Sequence, residues 1–389
     1  TWDGYRAVAA FFHGKPWGPN NTPLLGSCVS RKRQRCNGGN ANINAYWASL
    51  VLSTMTQTEG TKSGFLLDPD NLDPILGDAM EETLRILEEQ QSFGDPNELT
   101  ECDHVANNVT AMEDNLLLNE GNCAMTYEWA NKFTTTMMNA AYNRSNIGIA
   151  RTPGSSRVLD RKTGRLETCT PTLCPYGIYY DDIGIVNRPL YSAFGGWMGG
   201  VSNSAPSANQ HAMADFFSYV SNPSQSFQDV LPNQRSRFMS PFRYSHLKVS
   251  GWNDAGVDEA AASQYTETVR EVNSQNTVSE IRIQPGSEIR DILDEEVYRY
   301  LSAEKGIEIV SADLTNAWAD ATMRSITTNA IDMRIQEALS SLDKSDVLRS
   351  YQSSLGYSKS VIEGEYMNFI ETQYRDAGWC TSIFICSMS

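Results

Sequence analysis

The chain has no uninterrupted apolar run of the roughly 18 residues that a membrane-crossing helix needs. Its four histidines, His13, His104, His211 and His246, form no HExxH or other paired spacing, so the zinc-peptidase motif is missing. A GxSxG elbow, a Walker loop and a glycine-rich dinucleotide fingerprint are missing too. Their absence removes the commonest sequence signals for acyl, phosphoryl and hydride transfer. Cations are scarce: 31 Lys and Arg stand against 47 Asp and Glu, a net charge of −16. Phosphate backbones are held by clustered cations, so nucleic acid is not an expected partner. The one basic run, Arg31-Lys32-Arg33-Gln34-Arg35, lies between two cysteines and is expected at an exposed hairpin tip. No internal repeat or low-complexity tract is evident.

What is present is an ordinary globular composition, 20% charged and 40% apolar, over 389 residues. That length suffices for two lobes and a substantial core. Eight cysteines occur, at 28, 36, 102, 123, 169, 174, 380 and 386, and none has the CxxC spacing of zinc or thioredoxin sites. An even number suits an oxidising compartment. Sequence neighbours are the natural pairs, Cys28 with Cys36, Cys102 with Cys123, Cys169 with Cys174 and Cys380 with Cys386, out of 105 formal pairings. Three sequons, at Asn20, Asn108 and Asn143, agree with secretion. The expected location is therefore extracellular or periplasmic, associated with the cell surface.

Periodicity organises the chain. Tyr5, Val8, Ala9 and Phe12 share a helical face, and 45–55 reads as an apolar helix. Residues 78–90 form an amphipathic helix with Met80, Leu84 and Leu87 inward, stopped by Phe93-Gly94-Asp95-Pro96. A short helix is expected over 109–118 and another from Glu128. Residues 151–191 look irregular, with short strands at 177–180 and 183–187. A helix over 209–220 is expected to bury Met213, Phe216, Phe217 and Val220. Residues 257–340 read as long helices, with Ile289, Ile292, Leu293, Val297, Tyr300 and Leu301 as one stripe.

Two tryptophans are candidate ligand plates. The stretch Gly121-Asn122-Cys123-Ala124-Met125-Thr126-Tyr127-Glu128-Trp129 reads as a buried strand that delivers Trp129 at its end. Phe194-Gly195-Gly196-Trp197 reads as a Gly-Gly turn that delivers Trp197. An indole beside small residues offers a flat face to the C–H face of a sugar. The alternative is that both are core aromatics. Asn40, Asn42 and Asn44 precede Tyr46 and Trp47, and amides beside aromatics suit sugar hydroxyls. Arg243 could fork onto a ligand oxygen or form an inter-lobe salt bridge. Glu128 could accept from a hydroxyl or be a solvated charge at a helix start. Two carboxylate runs are the candidates for catalysis. Asp181 and Asp182 would point to opposite faces of a strand. Glu295-Glu296, after Asp294, reads as a solvated helix face. No catalytic residue, metal or cofactor is expected.

The motifs add up to a resemblance. Thr1-Trp2-Asp3-Gly4 with its following helix resembles the TWDE helix start of extracellular solute-binding proteins of ABC importers, in the sugar-binding class that includes the maltodextrin binders. Gly121 to Trp129 is similar to that family's GxxAMTxxW segment. Asn146-Ile147-Gly148-Ile149-Ala150-Arg151-Thr152-Pro153-Gly154 resembles its strand and turn. Gly195-Gly196-Trp197, Ser240-Pro241-Phe242-Arg243-Tyr244-Ser245 and Ser350-Tyr351-Gln352-Ser353-Ser354-Leu355-Gly356 resemble its later motifs, in the same order. The resemblance spans 1–356. It implies an α/β chain of the periplasmic-binding-protein type II fold, two lobes with a hinge, and it implies that the first part of one lobe precedes residue 1. The expected division is 1–190 for the first segment of one lobe, 191–248 for a return to the other, 249–356 for a helical return to the first, and 357–389 for a cysteine-containing tail. The implied activity is capture of a small polar ligand, most simply a sugar, between the lobes by a monomer. The implied partners are an ABC permease or, alternatively, a membrane receptor of which this is the ectodomain. An extracellular carbohydrate-active enzyme is the third reading.

Overall fold

The computed structural model describes residues 1–29, 43–95, 121–137, 147–191, 200–232, 239–272, 276–278, 280–302 and 316–363. The fold is mixed α/β, mostly helical with a few short strands. The chain divides into two compact units. Unit 1 gathers Thr1–Tyr127, Thr152–Tyr191 and Gln275–Gly356, and unit 2 takes in Glu128–Arg151 and Ser192–Ser274. This differs from the expected division. Residues 128–151 leave the first segment, and 249–274 stay with unit 2, because their aromatics share one core there.

Unit 1 is built around one helix. α1 is Trp2–Phe12, α2 Ile43–Thr56 and α3 Gly77–Gln91. Ala45, Ala48, Val51, Leu52 and Met55 of α2 are all at most 1% exposed. A helix apolar all round has to be enclosed, and α2 packs against α3, against α9 (Gly286–Leu301) and against the strand β1 (Arg157–Asp160). On α3, Met80, Leu84 and Leu87 are buried as their spacing predicts, while Glu82, Arg85 and Glu89 pair on its other side. Ile289, Ile292, Leu293 and Val297 of α9 are buried likewise. The long helix α10, Asn316–Ser340, packs on α3 and α9. α11, Lys344–Glu363, brings the buried Tyr351 to the backbone of Phe65 and Leu67.

Residues 151–191 are more regular than expected. β1 pairs antiparallel with β2 (Arg165–Thr168), Arg157 opposite Thr168, across a turn closed by Gly164 at φ 70°. β3 (Ile178–Tyr180) and β4 (Gly184–Val186) form a second hairpin. β5 (Leu190–Tyr191) pairs in parallel with β6 (Thr277–Val278). The β1–β2 hairpin escaped notice because its strands are rich in Arg, Glu and Asp, so alternation of apolar residues is weak.

A buried amide knot ties these pieces to α2. Asn187 Nδ2 donates to the carbonyls of Thr54 and Gln57 at 2.9 and 2.8 Å. Asn276 Nδ2 donates to Gln57 O at 3.0 Å and to Asn187 Oδ1 at 2.9 Å. Asn187 is 0% exposed. Asn187→Leu is expected to cost about 2–3 kcal/mol, because it strands buried acceptors and a donor at once. Denaturant unfolding of the variant checks this, and a loss below half a kcal/mol would contradict it.

The expected strand over 121–129 is an extended segment with a single parallel bridge, Cys123 to Leu25. Three backbone bonds hold it beside 25–28. Gly26 is needed here, since a Cβ would lie 2.2 Å from Ala9 O of α1. Among the described residues two disulfides are formed, Cys28–Cys123 and Cys169–Cys174. The second pair agrees with expectation. The first replaces the expected Cys28–Cys36 and Cys102–Cys123 pairs, because the run 121–129 lies against 25–28 and brings the Cα atoms of Cys28 and Cys123 to 6.0 Å. Cys36, Cys102, Cys380 and Cys386, with the expected helix 109–118 and the tail from 364, lie outside the described residues. Disulfides persist in oxidising surroundings, so the two bridges suit an extracellular protein. Among the described residues no helix is long and apolar enough to cross a membrane.

Unit 2 contains α4 (Asn131–Met137), α5 (Ser207–Val220), α6 (Pro223–Val230), α7 (Val249–Asp254) and α8 (Glu259–Val272). Its core joins Phe133 of α4, Trp252 of α7 and Tyr265 of α8. Phe133 and Tyr265 stack with centroids 4.3 Å apart, and Trp252 meets Tyr265 edge-on at 5.0 Å. α5 corrects an expectation. It forms where periodicity places it, but none of its residues is buried, and Met213, Phe216 and Tyr219 are exposed. Periodicity gives a helix an apolar face without specifying what covers it.

Candidate functional site

The strongest concentration of perturbed polar groups lies in unit 1, where the start of α2 meets α9 and β5. Helix starts leave N–H groups without intrahelical partners. At α2 they are met by a side chain 250 residues away: Asp294 Oδ1 accepts from Asn44 N at 2.8 Å and Ala45 N at 3.1 Å. Asp294 is 3% exposed. Burial raises its pKa to about 7, the two N–H donors oppose this, and Asp291 and Glu295 add to it. Tyr46 stands near Arg290, Glu280, Asp294 and Asp291, and burial pushes its phenol up to about 12. Tyr191 is held well above its ordinary value, first by burial and then by Glu280. Its hydroxyl donates to Glu280 Oε1 at 3.4 Å, and Arg290 Nη1 approaches Glu280 Oε2 at the same distance. Asn44 Nδ2, Asn44 Oδ1 and Arg290 Nε are buried without hydrogen-bond partners among the described residues.

Clusters of shifted groups mark functional sites and structural networks alike. Here the geometry is that of a helix cap with spare donors and an acceptor. Asn44 is 1% exposed, Tyr46 3% and Trp47 6%. Trp47 lies edge-on to Tyr127 at 5.1 Å, and Tyr127 lies against Trp2 at 5.7 Å. Tyr127 also donates to Gln90 Oε1, and Trp2 Nε1 to Thr54 Oγ1. The structure thus brings Asn44, Tyr46 and Trp47 together on α2, inside the core of unit 1.

The other candidates lie in unit 2 or outside the described residues. Glu128 and Trp129 are half-buried just before α4, where Trp129 O accepts from Lys132 N. Gly196 and Trp197 lie outside the described residues. Arg243 is 8% exposed, its guanidinium 5.6 Å from the Phe242 ring centroid and one Nη donating to Ser221 O. Ser221 is the residue that ends α5, so Arg243 ties down a helix end, which is neither of the two roles expected for it. Glu296 corrects an expectation: it is 2% exposed and not solvated, because Arg299 and Arg334 both reach its Oε1, at 3.1 and 2.9 Å.

Near Arg243 lies a serine–histidine contact that sequence reading missed. His246 Nε2 is 3.0 Å from Ser226 Oγ, both side chains fully buried. A nucleophile would require His246 to accept the serine proton. Phe242 N–H instead donates to His246 Nδ1, so Nδ1 carries no hydrogen and Nε2–H donates to Ser226. Ser226 Oγ–H in turn donates to Pro223 O. The pair is a packing bridge. Burial, with Arg243 second, holds the imidazole down at about 4. A separation of twenty positions leaves no spacing signal to read.

A groove of about 460 Å³ runs between α9 and α10, lined by Glu288, Asp291, Arg334 and Glu337 among others. Arg334 is engaged by Glu295 and Glu296, and the other charged residues of the lining are acidic. Among the described residues no group of His, Cys, Asp and Glu could hold a metal ion. No family model, curated protein or solved structure matches the chain.

Proposed function

We propose that this chain is an extracellular solute-binding protein that captures a small polar ligand, a sugar or oligosaccharide. The observation that carries the reading is its segmental build. The chain passes from one compact unit to the other after Tyr127, Arg151, Tyr191 and Ser274, so each unit is assembled from separated segments. Several crossings joining two compact units are the covalent arrangement on which hinge closure around a ligand depends. The two disulfides suit the extracellular setting. Half-buried Trp129, beside Glu128, is the ligand plate of this reading, with Trp197 and Gly196 as the second. Capture serves ABC-type import or, in the alternative, ligand sensing by a membrane receptor.

The test is thermal unfolding across mono- and oligosaccharides, polyols and amino acids. A ligand at about a hundred times its Kd stabilises the folded state by about 2.7 kcal/mol. Trp129→Ala is expected to abolish that shift while leaving the unliganded transition nearly unchanged. A folded sample that responds to no sugar would sink the reading.

A further inference from the structure

Unit 1 carries an aromatic cluster that its own core does not use. Phe11 and Trp17 are each 57% exposed, and Phe12 is half-buried between them. The three rings touch one another: Phe11 to Phe12 at 5.1 Å, Phe12 to Trp17 at 5.8 Å and Phe11 to Trp17 at 5.9 Å. Exposed apolar patches of this kind mark something that covers them.

The same loop supplies a covering group. Lys15 O accepts from Leu24 N at 2.8 Å, and Gly18 N donates to Thr22 O at 2.9 Å, which folds 15–24 back on itself. Gly18 permits this close return, since a Cβ there would sit 2.5 Å from Thr22 Oγ1. At the tip, Asn20 and Asn21 hold left-handed backbone angles, φ 56° and 59°, which asparagine tolerates. Asn20 is exposed. Asn20-Asn21-Thr22 is a sequon. Trp17 lies three residues before Asn20, so their Cα atoms are at most about 11 Å apart.

We propose that Asn20 is an N-glycosylation acceptor whose first sugar seats on the Phe11–Trp17 ring cluster. The donor is a lipid-diphosphate-linked oligosaccharide. A bond forms between Asn20 Nδ2 and the anomeric carbon of the first N-acetylhexosamine. The bond from that carbon to the diphosphate oxygen breaks, Nδ2 loses one proton, and the lipid diphosphate leaves. The C–H face of the attached pyranose then covers indole and phenyl faces that water otherwise wets. The two disulfides suit the compartment in which such transfer occurs. Pro23 follows Thr22 and stiffens the acceptor segment. Partial occupancy is therefore expected, and it provides both glycoforms in one preparation.

The test is secretion of the full chain from eukaryotic cells, followed by peptide mapping after amidase release of glycans in heavy-oxygen water. Label at residue 20, absent from Thr22→Ala, is expected. An unlabelled residue 20 overturns the proposal. For the seating, the glycans are removed under native conditions from the wild type and from Trp17→Ala. Sugars at other sequons leave both proteins equally. The expected result is a larger fall in unfolding temperature and a larger rise in apolar-dye binding for the wild type than for Trp17→Ala. Equal changes in the two proteins overturn the seating on the rings.

Discussion

Replacing Cys28 and Cys123 by serine is expected to lower the stability of unit 1 by about 4–5 kcal/mol, the largest effect of any pair of substitutions considered for this chain. The bridge joins residues 95 apart in sequence. In the chain-entropy account, a cross-link removes more freedom from the unfolded chain as the loop it closes lengthens. Cys169–Cys174, with a separation of five, is expected to contribute about 2 kcal/mol by the same reasoning. Both members of the long bridge are buried, Cys28 at 3% and Cys123 at 7% exposure, so serine also leaves hydroxyls in apolar surroundings. Guanidinium unfolding of the two double variants measures the difference. A long-bridge variant no weaker than the short-bridge one would refute it. Non-reducing tryptic mapping tests the pairing directly, because Arg31, Lys32, Arg33 and Arg35 lie between Cys28 and Cys36 and separate their peptides.

The second large effect is a pH dependence of opposite sign in the two units. His246 of unit 2 is neutral when folded and titrates at about 4, against about 6.5 in an unfolded chain. A depressed histidine pKa gives stability that is complete above the unfolded value and is lost as pH falls from about 6.5 towards 4. Asp294 of unit 1 titrates at about 7 when folded, against 3.8 in the reference state. A raised carboxyl pKa gives stability that is complete below 3.8 and is lost as pH rises through about 7. Each shift corresponds to about 3–4 kcal/mol when fully expressed. Glu82, also in unit 1, is held below the ordinary carboxylate value by Arg85 and Arg157 against its own burial, so its contribution fades only in stronger acid. Between pH 7 and pH 5 each of the two groups acts on the helix it contacts, Asp294 on α2 and His246 on α7. Hydrogen exchange, corrected for the intrinsic pH dependence, is expected to show α2 gaining protection and α7 losing it over that interval. Asp294→Asn keeps an oxygen for the two N–H donors of α2 and is expected to flatten the response of α2 alone. If α2 and α7 shift in the same direction, or Asp294→Asn changes nothing, the assignment to these groups is wrong.

Much of the secondary structure was legible. α2, α3 and α9 stand where apolar spacing put them, and Met80, Leu84, Leu87, Ile289 and Val297 face inward as predicted. The short strands at 178–180 and 184–186 were legible from their flanking turn residues. The candidate site was less so. Asn44, Tyr46 and Trp47 share the start of α2 as their spacing requires, but their burial depends on α9 and on Tyr127, far away in sequence. Arg243 could be singled out by residue type, while its attachment to Ser221 O could not.

By itself the sequence determined where apolar spacing places helices, which of their faces are apolar, and that eight cysteines suit an oxidising setting. Only the tertiary structure decided that Cys28 pairs with Cys123, that Asp294 caps α2, that Glu296 is buried between two arginines, and that Met213, Phe216 and Tyr219 of α5 stand exposed. The reason is range. Periodicity and capping chemistry act over a few residues and are written in consecutive positions. A disulfide across 95 residues and a cap across 250 are set by where packed elements bring the chain back, and no local pattern encodes that return.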